Sequence, residues 1–183
     1  MGRIHFTVFI LLTFSLLSLP KVLFAEQPLK AGLKQAELYG REGKFDFAFM
    51  ELRDLLRRYP EGPHVPQVEF GLAEYFFLQS NFAEARKAFS NCLSKIGEES
   101  TPRVLSQIYL LLCLEKADQV PAAKALLGQL KQKFSSQSFF IAFDDKRTHT
   151  WQSPLGIVYT LHEFVDRLEI YQNEKLFYTL NLP

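Results

Sequence analysis

Three stretches of the chain repeat one pattern of apolar and polar positions. Each begins with two apolar residues three positions apart, continues through a short polar turn, and ends in an apolar run at helical spacing. The alanines that follow the turns, Ala48, Ala85 and Ala123, lie 37 and 38 residues apart. The pattern predicts three helix–turn–helix units, in which the small alanine allows the two helices to approach closely.

The three units together predict a helical repeat domain over residues 26–134. The apolar pairs that precede the turns are Ala36 with Tyr39, Ala73 with Phe76, and Leu111 with Leu114. Pro66 and Pro102 lie at the junctions between units, where proline suits the first turn of a helix. The predicted units span about residues 29–60, 66–97 and 102–134.

The first helix of the third unit is apolar on nearly every side. Residues 104–114 include only Ser106 and Gln107 as strongly polar side chains. A helix of this kind must be buried on more than one face. We therefore expect the C-terminal extension, residues 135–183, to pack on the last unit and cover it.

The C-terminal extension has no fourth repeat turn and predicts a small mixed α/β structure. Residues 138–143 and 148–151 flank a polar turn and predict a β-hairpin. Residues 168–171 and 175–180 predict a second strand–turn–strand. Between them, a capping-box spacing from Thr160 to Glu163 predicts a helix. The helical stripe consists of Ile157, Leu161, Phe164 and Leu168.

The first 25 residues have the organisation of a secretory signal peptide. Arg3 precedes an apolar run over residues 6–19, Pro20 interrupts the run, and Ala25 ends a cleavage site. The run is shorter than the roughly 20 residues that span a bilayer. We expect cleavage after Ala25, export to the periplasm, and membrane contact only through the leader. An uncleaved anchor is the alternative.

Composition narrows the class of protein. Apolar residues make up 48% of the chain and aromatic residues 14%, which argues against disorder. The net charge is +1, and without the leader it is −1, so the basic surface of a non-specific nucleic-acid binder is missing. Cys92 and Cys113 could form a disulfide in an oxidising compartment, but the pattern favours two buried free thiols.

The chain contains no recognisable catalytic motif. His64, His149 and His162 have no partner at metal-binding spacing, and the glycines do not form a phosphate-binding loop. Asp144, Asp145 and His149 are close enough in sequence to share a cation, although a solvated turn explains them better. We therefore predict a protein that is not an enzyme and has no cofactor and no bound metal.

The turn at residues 43–46, the alanine positions, the aromatic positions and the Tyr59–Pro60 pair resemble tetratricopeptide repeats. The spacings of 37 and 38 exceed the usual ~34 residues of that family. The longer loops are similar to those of bacterial envelope members, such as the Tol–Pal-associated periplasmic protein and the outer-membrane β-barrel assembly lipoprotein. The resemblance implies a mainly α fold, a right-handed α-solenoid of three hairpins, whose first helices line a concave groove.

The resemblance also implies a function, which is that of a non-catalytic adaptor or scaffold. Its partner would be another envelope protein or a peptide bound in the groove; the oligomeric state stays open. Three alternatives remain: the chain's own tail packs in the groove, the protein carries a small apolar ligand between repeats and tail, or the tail holds an enzymatic site near Trp151. The expected groove residues are Leu33, Glu37, Phe70, Glu74, Phe77, Ile108, Leu112 and Glu115.

Overall fold

The computed structural model describes residues 21–97, 100–137 and 146–183. The chain divides into two compact units, residues 1–31 and 32–183. The described part of the first unit is the beginning of helix α1. The second unit contains the end of that helix and all of the other described elements.

The N-terminal part is mainly helical, and its six helices pack as sequential hairpins. The neighbours in sequence are also neighbours in space from α2 to α6, and α3 additionally contacts α5. The helical hairpins predicted from the sequence are therefore confirmed. The helices are α1 (Lys21–Arg41), α2 (Phe45–Arg58), α3 (Val65–Leu78), α4 (Phe82–Leu93), α5 (Thr101–Lys116) and α6 (Val120–Gln137).

The three turns inside the hairpins have the same backbone structure. Each turn has three residues, and the central one is in the left-handed region: Gly43 at φ +73°, Ser80 at +58° and Asp118 at +53°. In each turn the next N–H donates to a carbonyl five residues earlier, which is the Schellman bond that ends a helix. These bonds are Lys44 N–H to Tyr39 O at 2.8 Å, Asn81 N–H to Phe76 O at 2.9 Å, and Gln119 N–H to Leu114 O at 2.9 Å.

The three alanines lie at the predicted positions of close contact between helices. Ala48 and Ala85 are fully buried, and Ala123 is nearly so. Each lies in the first turns of the second helix of its hairpin, where a larger side chain would separate the helices. The repeated turns and the repeated alanines together identify three equivalent units by structure as well as by sequence.

The C-terminal part is a four-stranded antiparallel sheet with strand order β1–β2–β3–β4. Its β3–β4 hairpin confirms the predicted second strand–turn–strand, and its turn places Asn173 and Glu174 at positive φ. The predicted strand at 148–151 lies in β1, whereas 138–143 lies outside the described residues. The strands are β1 (Arg147–Gln152), β2 (Val158–Glu163), β3 (Arg167–Gln172) and β4 (Lys175–Asn181).

The helix predicted around residues 157–168 is wrong. Leu161 lies in β2 and Leu168 in β3, while Phe164 lies in the connection between the two strands. The buried residues alternate instead with the period of a strand, Tyr159 with Leu161 and Leu168 with Ile170. The four apolar residues fit a helical spacing by coincidence, because a strand–turn–strand can place apolar positions at the same intervals.

Both cysteines are buried free thiols, as the sequence favoured. Burial raises the pKa of Cys92 to about 12 and that of Cys113 to about 11, so both are unreactive thiols near neutral pH. Among the helices that the structure describes, none is both long enough and apolar enough to span a membrane.

Candidate functional site

The loop between β1 and β2, residues 153–157, packs against the helices. A Cβ atom added to Gly40 on α1 would lie 1.8 Å from the carbonyl oxygen of Leu155. A Cβ atom added to Gly71 on α3 would lie 2.9 Å from Cβ of Pro154. Gly40 therefore permits a backbone approach that no other residue would allow, whereas Gly71 leaves room for the side chains of Pro154 and Leu52. This loop, called the β1–β2 loop below, lies on α1 and α3 at once.

Aromatic rings continue the contact from the loop into the sheet. The ring of Phe70 on α3 meets Trp151 on β1 edge to face, with centroids 4.9 Å apart. The ring of Tyr109 on α5 lies 5.2 Å from Phe177 on β4. Ring pairs such as the edge-to-face Phe70–Trp151 contact add to the stability that burial of the rings provides. The C-terminal sheet thus packs on α3 and α5, and its loop reaches α1.

A carboxyl group is buried at the centre of this contact. Glu74 on α3 is fully buried, and the Tyr159 hydroxyl on β2 donates a hydrogen bond to its Oε1. The Tyr159 oxygen is 2.5 Å from the Tyr109 hydroxyl oxygen, so the three groups form a chain of hydrogen bonds. The other carboxyl oxygen, Oε2, is buried without a hydrogen-bond partner among the described residues.

Burial governs the ionisation of this group. Loss of water contact raises the pKa of Glu74 from 4.5 to about 7, although hydrogen bonds from Ser153 and Tyr159 act in the opposite direction. Burial, and next the nearby Glu74 carboxyl, hold the pKa values of Tyr109 and Tyr159 well above 10. A buried, partly unsatisfied carboxyl is expensive in its charged form, so near neutral pH this group can take up or release a proton.

The same repeat position has a different environment in each unit. Glu37 on α1 and Leu112 on α5 correspond to Glu74 by the 37- and 38-residue spacings. Glu37 is partly exposed, and burial raises its pKa while Arg41 and Lys34 lower it. Only the second unit has its acidic residue covered by the sheet.

The predicted groove residues separate into three groups. Phe70, Glu74 and Ile108 are buried, whereas Leu33, Glu37, Phe77 and Leu112 are partly exposed and Glu115 is exposed. The structure brings Phe70 and Phe77 together around Tyr109, with ring centroids 6.2 and 4.7 Å from it. Glu74, which the sequence predicted as a residue of an open groove, is instead covered by Tyr159 and the β1–β2 loop.

Sequence reasoning missed the residues that the sheet contributes. Tyr159 and Ser153 bond to Glu74, and Tyr109 joins the hydrogen-bond chain from a helix that was recognised only as apolar. One signal was present: a tyrosine inside an apolar helix needs a partner for its hydroxyl. The sequence offers no means of finding that partner 50 residues away.

Of the three residues suggested as a cation site in the tail, the structure describes only His149. Asp144 and Asp145 lie outside the described residues. His149 on β1 is 3.7 Å from Glu163 on β2, and this pair is on the sheet. Across residues 21–97, 100–137 and 146–183, no three His, Cys, Asp or Glu side chains are grouped so that they could hold a metal ion.

Comparison with known proteins identifies no relative. No family model matches the chain, and neither a curated protein nor a solved structure is significantly similar to it.

Proposed function

We propose that the chain is an exported, non-catalytic adaptor with tetratricopeptide-like repeats, arranged as a right-handed solenoid, that binds another protein or peptide of the bacterial envelope. The proposal is supported most by one observation: α1, α3 and α5 share a face that already holds a continuous polypeptide segment, the β1–β2 loop and β2. A face that accepts one segment by backbone approach, ring contacts and hydrogen bonds has the chemistry to accept another.

The resident sheet divides this face into a covered part and an accessible part. Phe70 and Glu74 are covered by the protein's own sheet and are therefore not accessible to a partner while the sheet is docked. Leu33, Glu37 and Leu112 remain partly exposed, and Glu115 is exposed. We expect a partner to use this accessible part, which combines apolar side chains with two carboxylates and would suit a segment with apolar and basic residues.

The packing between helices and sheet favours an adaptor over a carrier of a small apolar ligand. The rings of Phe70, Trp151, Tyr109 and Phe177 are in contact at the position where such a ligand would lie. A ligand there would have to displace these contacts and would meet the Glu74 carboxyl, which is a poor neighbour for an apolar molecule.

Site-specific photo-crosslinking in cells tests the adaptor function. A photoreactive amino acid at Glu37 or Glu115 should form an adduct with one and the same envelope protein. The matched control is Glu84, an exposed glutamate near the beginning of α4, which should form no such adduct. The purified partner should then bind the purified chain, and charge reversal by Glu37→Lys with Glu115→Lys should weaken binding about tenfold or more, equal to about 1.4 kcal/mol.

Two outcomes would contradict this function. If crosslinking at Glu84 is as strong as at Glu115, the partner does not bind specifically to the face formed by α1, α3 and α5. An adduct partner that binds the charge-reversed chain with unchanged affinity would show that the carboxylates do not contribute. Export is tested separately, because the intact mass of the mature chain should correspond to a beginning at Glu26.

A further inference from the structure

The Glu74 carboxyl is buried where the sheet docks on the repeats. Its helix is α3, but the hydroxyls that bond to it come from Tyr159 on β2 and Ser153 in the β1–β2 loop. The buried Oε2 has no hydrogen-bond partner among the described residues. The hydrogen bonds that this carboxyl accepts from Tyr159 and Ser153 thus come from the C-terminal part.

The pKa of this carboxyl is set by burial and by hydrogen bonds from Ser153 and Tyr159, and two neighbouring arginines are directed elsewhere. Arg41 on α1 donates instead to Oε1 of Gln152 at 2.8 Å, and Arg86 on α4 donates to Gln119 at 2.6 Å. A buried carboxylate is normally compensated by a cation or by several donors. The ionisable side chains that interact electrostatically with Glu74 are Tyr109 on α5 and Tyr159 on β2. Further out, Cys113 interacts with Tyr109 and with Arg86 on α4, and Glu37 and Arg41 on α1 interact with each other.

We propose that the protonation of Glu74 controls how tightly the C-terminal sheet docks on the helices. The neutral carboxyl fits the buried site, because it can remain in the hydrogen-bond chain with Tyr159 and Tyr109 without a charge. The carboxylate favours water, and it reaches water when Tyr159 and the β1–β2 loop move away from α3. Loss of the proton to solvent therefore shifts the equilibrium toward the undocked sheet.

The size of the effect follows from the difference in ionisation between the two states. Docking raises the pKa of Glu74 from its ordinary 4.5 to about 7. Below pH 4.5 the group is neutral in both states, and docking is strongest. As the pH rises toward 7, docking weakens, and above 7 it is weaker by about 300-fold.

This inference rests on the proposed function in one respect, which is that the uncovered face is the one a partner would use. Deprotonation would then make Phe70 and Glu74 available for binding. The experiment below measures docking alone and uses no partner. If protonation of Glu74 does not control docking, this result can therefore be distinguished from a failure of the adaptor function.

Hydrogen exchange of the full chain, followed by mass spectrometry between pH 5 and 8, tests the proposal. Exchange rates are corrected for the intrinsic effect of pH, and wild type is compared with Glu74→Gln. Between pH 5 and 8, protection of the β2 amides should fall by about 70-fold in wild type and should stay nearly constant in the variant. All other ionisable groups remain in both proteins, so the difference between the two proteins isolates Glu74.

Two controls define the result. Glu69→Gln changes another carboxyl of α3, one that pairs with Lys95 at 2.5 Å, and it should behave as wild type. Amides of α6, which does not carry the site, should keep their protection in wild type. An equal loss in α6 and β2 would indicate global unfolding and overturn the docking proposal, as would the same pH dependence in Glu74→Gln.

A measurement on the wild type covers the case in which Glu74→Gln does not fold. Carbon-13 labelling of the glutamate carboxyls allows each one to be titrated by NMR spectroscopy. One carboxyl should titrate with a midpoint near pH 7. If no glutamate carboxyl has a midpoint well above 4.5, the proposal is wrong.

Discussion

The helical hairpins and the C-terminal sheet are held by contacts of very different range. The turns of the hairpins are closed by bonds between residues five positions apart, such as Lys44 and Tyr39. The docking of the sheet depends on Tyr159 and Glu74, which are 85 positions apart. Each helical hairpin is therefore specified by residues close in sequence, and the same local pattern occurs in all three units. The position of the sheet depends instead on a few residues that occur only once.

The contrast is sharpest at one repeat position. Glu37 and Glu74 occupy equivalent places in the first and second units, but only Glu74 is fully buried. The repeats themselves do not create this difference. It arises because the β1–β2 loop and Tyr159 cover the second unit, so a repeat position acquires its chemistry from outside the repeat.

The largest effect is expected from closing the space between α1 and the β1–β2 loop. Gly40→Ala places a Cβ atom 1.8 Å from the carbonyl oxygen of Leu155, so the loop has to move. We expect a loss of about 3 kcal/mol in the free energy of unfolding, measured by urea denaturation.

Gly128→Ala on α6 is the matched control, since no atom lies within 4 Å of the added Cβ atom. The same change there should stabilise the chain by about 0.5–1 kcal/mol, because alanine is the better helix former. If Gly40→Ala is as stable as wild type, the loop does not approach α1 as described.

The second effect concerns the buried carboxyl and depends on pH. The folded pKa of Glu74, about 7, is above its unfolded value, so its neutral form is favoured by folding. The resulting stability is present below pH 4.5 and is lost as the pH rises through 7. Glu74→Gln cannot ionise, and its stability relative to wild type should be about 2–3 kcal/mol greater at pH 8 than at pH 5.

Urea denaturation of both proteins at the two pH values measures this difference. The comparison between pH values matters more than the stability at either one, because glutamine also alters the hydrogen bonds. A difference that is the same at pH 5 and pH 8 would indicate that Glu74 is ionised in the folded protein throughout.

An effect of intermediate size is expected inside the repeats. Ala85 is fully buried on α4, and Ala85→Leu would force the helices of the second hairpin apart. We expect a loss of about 2 kcal/mol. Ala83→Leu on the exposed side of the same helix should change stability by less than about 0.5 kcal/mol. Equal effects from both changes would argue against close helix contact at Ala85.

The smallest effect tests whether the three turns are equivalent. Gly43 has φ +73° and no atom within 4 Å of an added Cβ atom, so Gly43→Ala introduces only backbone strain, about 1 kcal/mol. Ser80 has the same conformation without being glycine, so Ser80→Gly should stabilise by up to about 1 kcal/mol. Thermal unfolding measures both, and effects of the same sign would disprove the equivalence.

The helical hairpins could be predicted from the sequence better than the C-terminal sheet and its contacts. The hairpins were predictable because the turns and alanines recur at 37 and 38 residues, so each position was supported by two others. The β2 strand was mistaken for a helix because Ile157, Leu161 and Leu168 fit both patterns. The candidate site was half predictable: Phe70 and Glu74 were named, but Tyr159 and Ser153 were not, since nothing local marks a strand residue as the partner of a distant helix.

The sequence by itself determined the number of helical units, the positions of their turns, the alanine contacts and the β3–β4 hairpin, because these depend on neighbours within a few residues. Only the tertiary structure decided that Glu74 is buried and Glu37 is not. Docking of the sheet and its β1–β2 loop buries Glu74 completely, whereas Glu37 keeps part of its exposure to water. The physical reason is that burial, and with it the pKa of a carboxyl, is a property of the packed surroundings and not of the residue.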